Sequence, residues 1–208
     1  MGGMLITFEG IDFSGKSVQA RLLQEKLVQQ KYSVLLLREP GGTTISEKIR
    51  DVLLDTDHAE MYAKTELLLY AAARAQMVQE RILPFLKDGG IVICDRYFDS
   101  TTAYQGYGRQ IDLEFINKLH IFVTQGVNPD LTFLFDLDPQ NTSERKKLSN
   151  VRMDRLDKEN VDFQMRVRKG YLKIAQAEPQ RYVIIDGSQS IAAIQKEIYD
   201  HTKSKLNR

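Results

Sequence analysis

Eight residues, Gly10-Ile11-Asp12-Phe13-Ser14-Gly15-Lys16-Ser17, constrain this chain more than any other stretch. They fit the spacing G-x-x-x-x-G-K-[ST], follow the apolar run Met4 to Phe8, and open a helix-like stretch from Lys16 to about Gln30. Gly10 and Gly15 let backbone N–H groups turn towards an anion, and the helix behind them presents its positive end, roughly half an elementary charge. A polyphosphate belongs in such a loop. Lys16 would reach the outer phosphates, and the Ser17 hydroxyl would meet a magnesium ion bridging them. The alternative is an ordinary turn with a chance Gly-Lys-Ser, but strand, loop and helix are all in place.

At 208 residues, 42% hydrophobic and 27% charged, the chain suits a single globular domain over residues 1–208. A formal net charge of +1 offers no general attraction to nucleic acid, so any affinity for phosphate has to be local. One cysteine, Cys94, cannot form an internal disulfide; at the end of an apolar run it reads as a small buried residue. The opening Met1-Gly2-Gly3-Met4 lacks the basic start and long apolar segment of a signal peptide, and no run approaches bilayer-spanning length. We expect a cytoplasmic protein with no membrane or nucleic-acid partner. His58, His120 and His201 are scattered without metal-cage spacing and read as surface or packing residues.

Apolar runs at Met4 to Phe8, Val34 to Leu37, Ile91 to Cys94, Leu131 to Leu137 and Tyr182 to Ile185 read as buried strands, with helix-length segments between them. Repeated βαβ units predict an α/β fold: a three-layer P-loop NTPase fold with a five-stranded parallel sheet flanked by helices. Ligands of such sheets sit beyond the carboxyl ends of the strands. The polar residues gather there, at Glu9 to Ser17, Arg38 to Thr43, Asp95 to Gln105 and Asp186 to Ser188.

Leu22, Leu23, Leu27 and Val28 give the first helix an apolar stripe for the core. Arg38-Glu39-Pro40-Gly41-Gly42-Thr43 forces a loop beside the phosphate loop. Thr65 to Leu86 reads as one long helix, with Thr65 as N-cap and Pro84 where it weakens. Its Leu67, Leu68, Ala71, Ala72 and Ala75 spread beyond one stripe, which points to packing on another chain and hence a homodimer. Tyr70 and Arg74, at i and i+4, share a helix face. Either both meet one ligand, or the Tyr packs on the core and the Arg joins a surface ion pair.

Asp95-Arg96-Tyr97 ends the third strand, offering a magnesium-organising carboxylate and a planar fork for a phosphate; a helix cap and a salt bridge would explain the pair less specifically. Ser100 to Gly106, polar and aromatic, suits a base and sugar. The charged segment from Arg145 through Arg152, Asp154 and Arg155, spanning about 145–160, reads either as a solvated face or as a short lid closing over phosphates. Ile191 to Arg208 reads as a terminal amphipathic helix with Ile191, Ile194, Ile198 and Tyr199 inward.

Taken in order, Phe8-Glu9-Gly10 through Ser17, Arg38 to Thr43, Asp95-Arg96-Tyr97 with Ser100 and Ala103-Tyr104-Gln105-Gly106, and Asp154-Arg155 resemble the thymidylate kinases. These are P-loop nucleoside monophosphate kinases that move the γ-phosphoryl group of ATP to dTMP, giving dTDP and ADP in dTTP biosynthesis. The resemblance covers nearly the whole chain, and E-P-G-G-T followed by D-R-Y-x-x-S-x-x-A-Y-Q-G is specific to the family. It implies ATP at Gly10, Ile11, Asp12, Phe13, Ser14, Gly15, Lys16, Ser17, Val18 and Arg145, and magnesium at Ser17, Asp12 and Asp95. It implies dTMP at Asp12, Glu39, Pro40, Tyr70, Arg74, Arg96, Ser100, Tyr104 and Gln105. Arg74 and Arg96 would take its phosphate, Tyr70 would stack on thymine, and Pro40 would pack near the thymine methyl. Asp12 would face the 3′-hydroxyl, and Tyr104 would crowd the 2′ position. Asp186-Gly187-Ser188 resembles the loop that passes the adenine.

The catalytic set implied is Lys16, Arg96, Arg152 and Arg155. Phe13 stands where one branch of the family carries arginine and another commonly glycine. Lid residues, Arg152 and Arg155 first and Arg145 next, would then supply the missing cation. Phe13 also leads us to expect a loop conformation that an L-residue tolerates. The acceptor is an already anionic phosphate oxygen, so no general base is required. Two rivals stand beside this reading: a deoxynucleoside kinase with Glu9 as base, and a sensor that binds nucleotide without transferring.

Overall fold

The computed structural model describes residues 2–140, 142, 154–156 and 159–207. Arg145, Arg152 and most of the segment expected as a lid lie outside the described residues. Strands β1 (Met4–Gly10), β2 (Val34–Arg38), β3 (Ile91–Asp95), β4 (Leu131–Asp136) and β5 (Tyr182–Asp186) form one parallel sheet in the order β2-β3-β1-β4-β5. Each begins where an apolar run begins. The registers Arg38↔Asp95, Phe8↔Asp95, Gly10↔Phe135 and Asp136↔Asp186 bring the carboxyl ends of all five to one edge.

Helices α1 (Lys16–Gln29), α2 (Thr44–Leu54), α3 (Ala63–Met77), α4 (Leu83–Lys87), α5 (Phe98–Thr101), α6 (Leu113–Thr124), α7 (Val161–Ala177) and α8 (Ile191–Leu206) cover the sheet. Every residue of β1 is buried, as a central parallel strand requires. Ile6 and Phe8 pack with Leu23, Leu27, Phe133, Ile194 and Ile198 on one face. Leu5 joins Met77, Val78, Ile82 and Tyr97 on the other, and the two-residue period sends Thr7 and Glu9 the same way. The phosphate-loop strand therefore aims a carboxylate into the layer below the candidate site. No helix among the described residues is long and apolar enough to cross a membrane.

Three expectations about the helices are corrected. Val28 and Ile191 are exposed: Val28 is rotated out of the Leu23–Leu27 stripe, and Ile191 is the first residue of α8. The long helix starts at Ala63 with Tyr62, not Thr65, at the cap. It widens into a π-helical turn at Val78–Ile82, and Pro84, which has no N–H to donate, lies in the first turn of α4 directly after it.

Candidate active site

The phosphate loop links the central strand to α1. Gly15 precedes α1 at φ 95° with no side-chain cap, which leaves first-turn N–H groups for an anion. At Gly10, with φ 139°, a Cβ would lie 2.6 Å from the Phe135 carbonyl oxygen, so only glycine lets β1 and β4 approach this closely. Lys16 is buried, donates to the Ile11 carbonyl at 3.1 Å and lies 3.8 Å from Asp12 Oδ1. Burial and the neighbouring Arg96 pull its ammonium below the usual value. The Ser14 hydroxyl is buried without a hydrogen-bond partner among the described residues. Phe13 overturns the expectation for this loop: it sits at φ 61°, in the left-handed region, so the frame between Gly10 and α1 overrides the preference of an L-residue.

A cleft of about 930 Å³ opens at this sheet edge. Asp12, Phe13, Gly15, Lys16, Ser17 and Val18 line it from the phosphate loop, whereas Gly10, Ile11 and Ser14 are buried and do not line it. Glu39, Pro40, Tyr70, Asp95, Arg96, Ser100, Tyr104 and Gln105 line it from the other elements. Arg96, also left-handed at φ 72°, bends out of the end of β3. Its Nη2 donates to Asp12 Oδ1 at 2.6 Å and to the Tyr104 hydroxyl at 3.1 Å, while that hydroxyl donates to Asp12 Oδ2 at 2.9 Å. Burial alone would lift the Asp12 pKa, but Arg96 and Lys16 hold it well below the carboxylate range. Asp12 thus joins the cation of the phosphate loop to the cation of β3.

Beneath this triangle lies Glu9, fully buried and absent from the cleft lining. It accepts from Ser100 Oγ at 2.6 Å, the Tyr171 hydroxyl at 3.0 Å and the Tyr97 N–H at 2.7 Å, and Arg96 Nη1 in turn donates to Ser100 and Tyr171. So enclosed, Glu9 braces Arg96 from below and is not placed to act as the base of the rival deoxynucleoside kinase reading.

Arg74, expected on a phosphate, is not among the residues lining the cleft. It is 1% exposed and grips Glu39 through Nε and Nη2 at 2.5–3.0 Å, with further bonds to the Tyr97 carbonyl and Thr101. Arg155, expected among the catalytic cations, is buried and tied to Glu66 Oε2 at 2.5 Å and to the Leu53 carbonyl at 3.1 Å, whereas its neighbours Asp154 and Leu156 reach the cleft. Arg50, Asp51, Asp55 and Asp57 also line the opening and had no signal in the sequence beyond following the E-P-G-G-T loop. Arg50 donates to the Pro40 carbonyl at 2.9 Å. Gly187 lies against the phosphate loop, where a Cβ would sit 3.5 Å from the Ser14 carbonyl oxygen.

A phosphate loop on the central strand of a parallel α/β sheet, facing a second cation across one cleft, defines a P-loop nucleotide-binding protein. The family model for thymidylate kinase matches residues 8–198. A thymidylate kinase of Exiguobacterium sp. is 48% identical over 208 residues, covering 100% of this chain and 98% of that protein. One from Thermoanaerobacter sp. is 43% identical, covering 99% and 100%. The crystal structure of thymidylate kinase from Ehrlichia chaffeensis superposes with a TM-score of 0.81 at 36% identity, covering 98% of this chain and 100% of that one. The chain belongs to the thymidylate kinase family.

Proposed function

We propose that this protein transfers the γ-phosphoryl group of ATP to dTMP, giving dTDP and ADP. The observation that carries the reading is that Lys16 and Arg96 open into one cleft, each paired with Asp12. ATP lays its outer phosphates on the loop from Gly10 to Ser17, and dTMP brings its phosphate to the Arg96 fork. Two groups that repel each other in water are held in line by fixed positive charge, and catalysis is positioning plus neutralisation. Tyr70 on the cleft wall offers a ring for the base, and Asp12 and Tyr104 meet the sugar. Arg74, already neutralised by Glu39, keeps Nη1 buried without a partner among the described residues. That N–H suits a neutral carbonyl of the base better than a phosphate.

Magnesium fits the donors present. Asp95 Oδ1 is buried without a partner, and the Ser17 hydroxyl lines the same cleft, whereas Asp12 is committed to two cations. An ion held largely by phosphates and water needs few protein donors. When bound, it would offset charge on the bridging phosphate oxygens. Arg145 and Arg152, outside the described residues, are proposed to supply a further cation for the transferred group.

A homodimer is part of the proposal. Phe122 is 80% exposed and shares a face of α6 with Phe115, and α3, packed on α6, exposes Leu68 and Ala72 one turn apart. A cytoplasmic site, with no membrane or nucleic-acid partner, fits an enzyme of free nucleotides. A coupled assay of ADP release tests the reaction: release with ATP and dTMP is expected, and release with thymidine but not dTMP, or with neither, overturns it.

A further inference from the structure

Glu66 is a fully buried carboxylate near the cleft that the reaction above does not use. It lies on α3, one turn before Tyr70 and two before Arg74. Arg109 donates to it from Nε and Nη2, each at 3.1 Å, and Arg155 Nη2 lies 2.5 Å from Oε2. Burial opposes its charge, but the Arg109 bonds, Gln105 and Arg155 outweigh that and hold it ionised. An ionised carboxylate only accepts hydrogen bonds. The third partner is Gln105, whose Nε2 donates to Glu66 Oε1 at 2.9 Å. Because the amide must give its nitrogen to Glu66, its carbonyl oxygen is turned elsewhere. That oxygen makes no hydrogen bond among the described residues, and Gln105 lines the cleft.

We propose that Glu66 is a positioning residue for base selection: by accepting from Gln105 Nε2 it aims the Gln105 carbonyl oxygen into the cleft, where it takes a pyrimidine with a ring N–H. Thymine and uracil donate there. Cytosine presents a ring nitrogen that only accepts, so two acceptors face each other and a buried oxygen is left unpaired. The inference rests on the dTMP reading and adds to it the group that sets the amide's direction.

Calorimetric titration with dUMP and dCMP tests it, since neither carries the 5-methyl group and their bases differ at the ring nitrogen and at the adjoining C4 substituent, the second difference being common to the wild type and every variant. The wild-type protein is expected to bind dUMP at least about tenfold more tightly than dCMP. Glu66→Gln, which both donates and accepts, should bring that ratio towards parity and raise KM for dTMP by more than it lowers kcat. The double variant Glu66→Gln with Gln105→Glu keeps one carboxylate beside Arg109 and Arg155 and again turns an acceptor to the cleft, so the dUMP preference should return. A wild type without the preference overturns the proposal, as does a folded Glu66→Gln that keeps it. Should circular dichroism show Glu66→Gln unfolded, the double variant decides: preference kept supports the role, preference lost removes it. Failure of the wild type to release ADP with dTMP would strike the dTMP reading itself, and the binding ratio is measured independently of it.

Discussion

Arg96 and Glu9 show how much of the site depends on single side chains held from below. Arg96 touches Asp12, Tyr104, Ser100 and Tyr171 at 2.6–3.1 Å, so its fork is fixed before any ligand arrives. Arg96→Ala should lower kcat/KM for dTMP by about 10²–10³ while moving KM for ATP little, and Arg96→Lys should recover only a small part because it lacks the planar fork. Steady-state kinetics with each substrate varied checks this; equal losses for ATP and dTMP would refute it. Glu9 carries a different consequence. Burial and the nearby Asp99 push its carboxyl from 4.5 up to about 7, against the pull of Ser100, Arg96 and Tyr97. Between those values the folded protein keeps a proton that the unfolded chain has lost, so stability falls as pH rises through the window. The group's contribution is up to roughly 3 kcal/mol. Urea titrations at pH 5 and 8 should show a steeper loss for the wild type than for Glu9→Gln; the same loss in both would remove Glu9 as the cause.

Elements, more than residues, decide what could be read in advance. The phosphate loop was legible because its function lies in backbone and spacing, and the five strands because a buried parallel strand must be an unbroken apolar run. The shared face of Tyr70 and Arg74 was legible too, but not the partner: Glu39 lies 35 positions back along the chain, and only the packing of α3 against the loop after β2 reveals that Arg74 holds that loop. Arg155 and Gln105 converge on Glu66 for the same reason, through contacts no local pattern encodes. Phe13 misled because the loop's frame, not the residue, set φ. From the α3 contact it follows that Arg74→Ala leaves a buried carboxylate unpaired and should cost about 3–5 kcal/mol, whereas adding Glu39→Gln should recover a measurable part of that loss. A double-mutant cycle by urea denaturation reads the coupling, and additive losses would show that the pair does not anchor the loop.

At the scale of the whole molecule, α3 carries two loads on opposite sides. One face brings Tyr70 to the cleft wall with Glu66 and Arg74 buried one turn to either side, and the other exposes Leu68 and Ala72, while α6, packed on α3, exposes Phe115, Ile121 and Phe122. An apolar surface of this kind on a lone chain invites association, and a two-fold contact would bury the same stripe on both copies. Placing a charge there leaves the cleft's own residues untouched while making the contact unfavourable, because a buried unpaired carboxylate costs several kcal/mol. Phe122→Glu should therefore shift the mass measured by light scattering from twice the 23.9 kDa chain mass towards once. It should also lower thermal stability, since α3 and α6 lose their cover on the outer side. A wild type that already elutes at the single-chain mass at micromolar concentration would end the dimer proposal, and the exposed phenylalanines would then need another occupant.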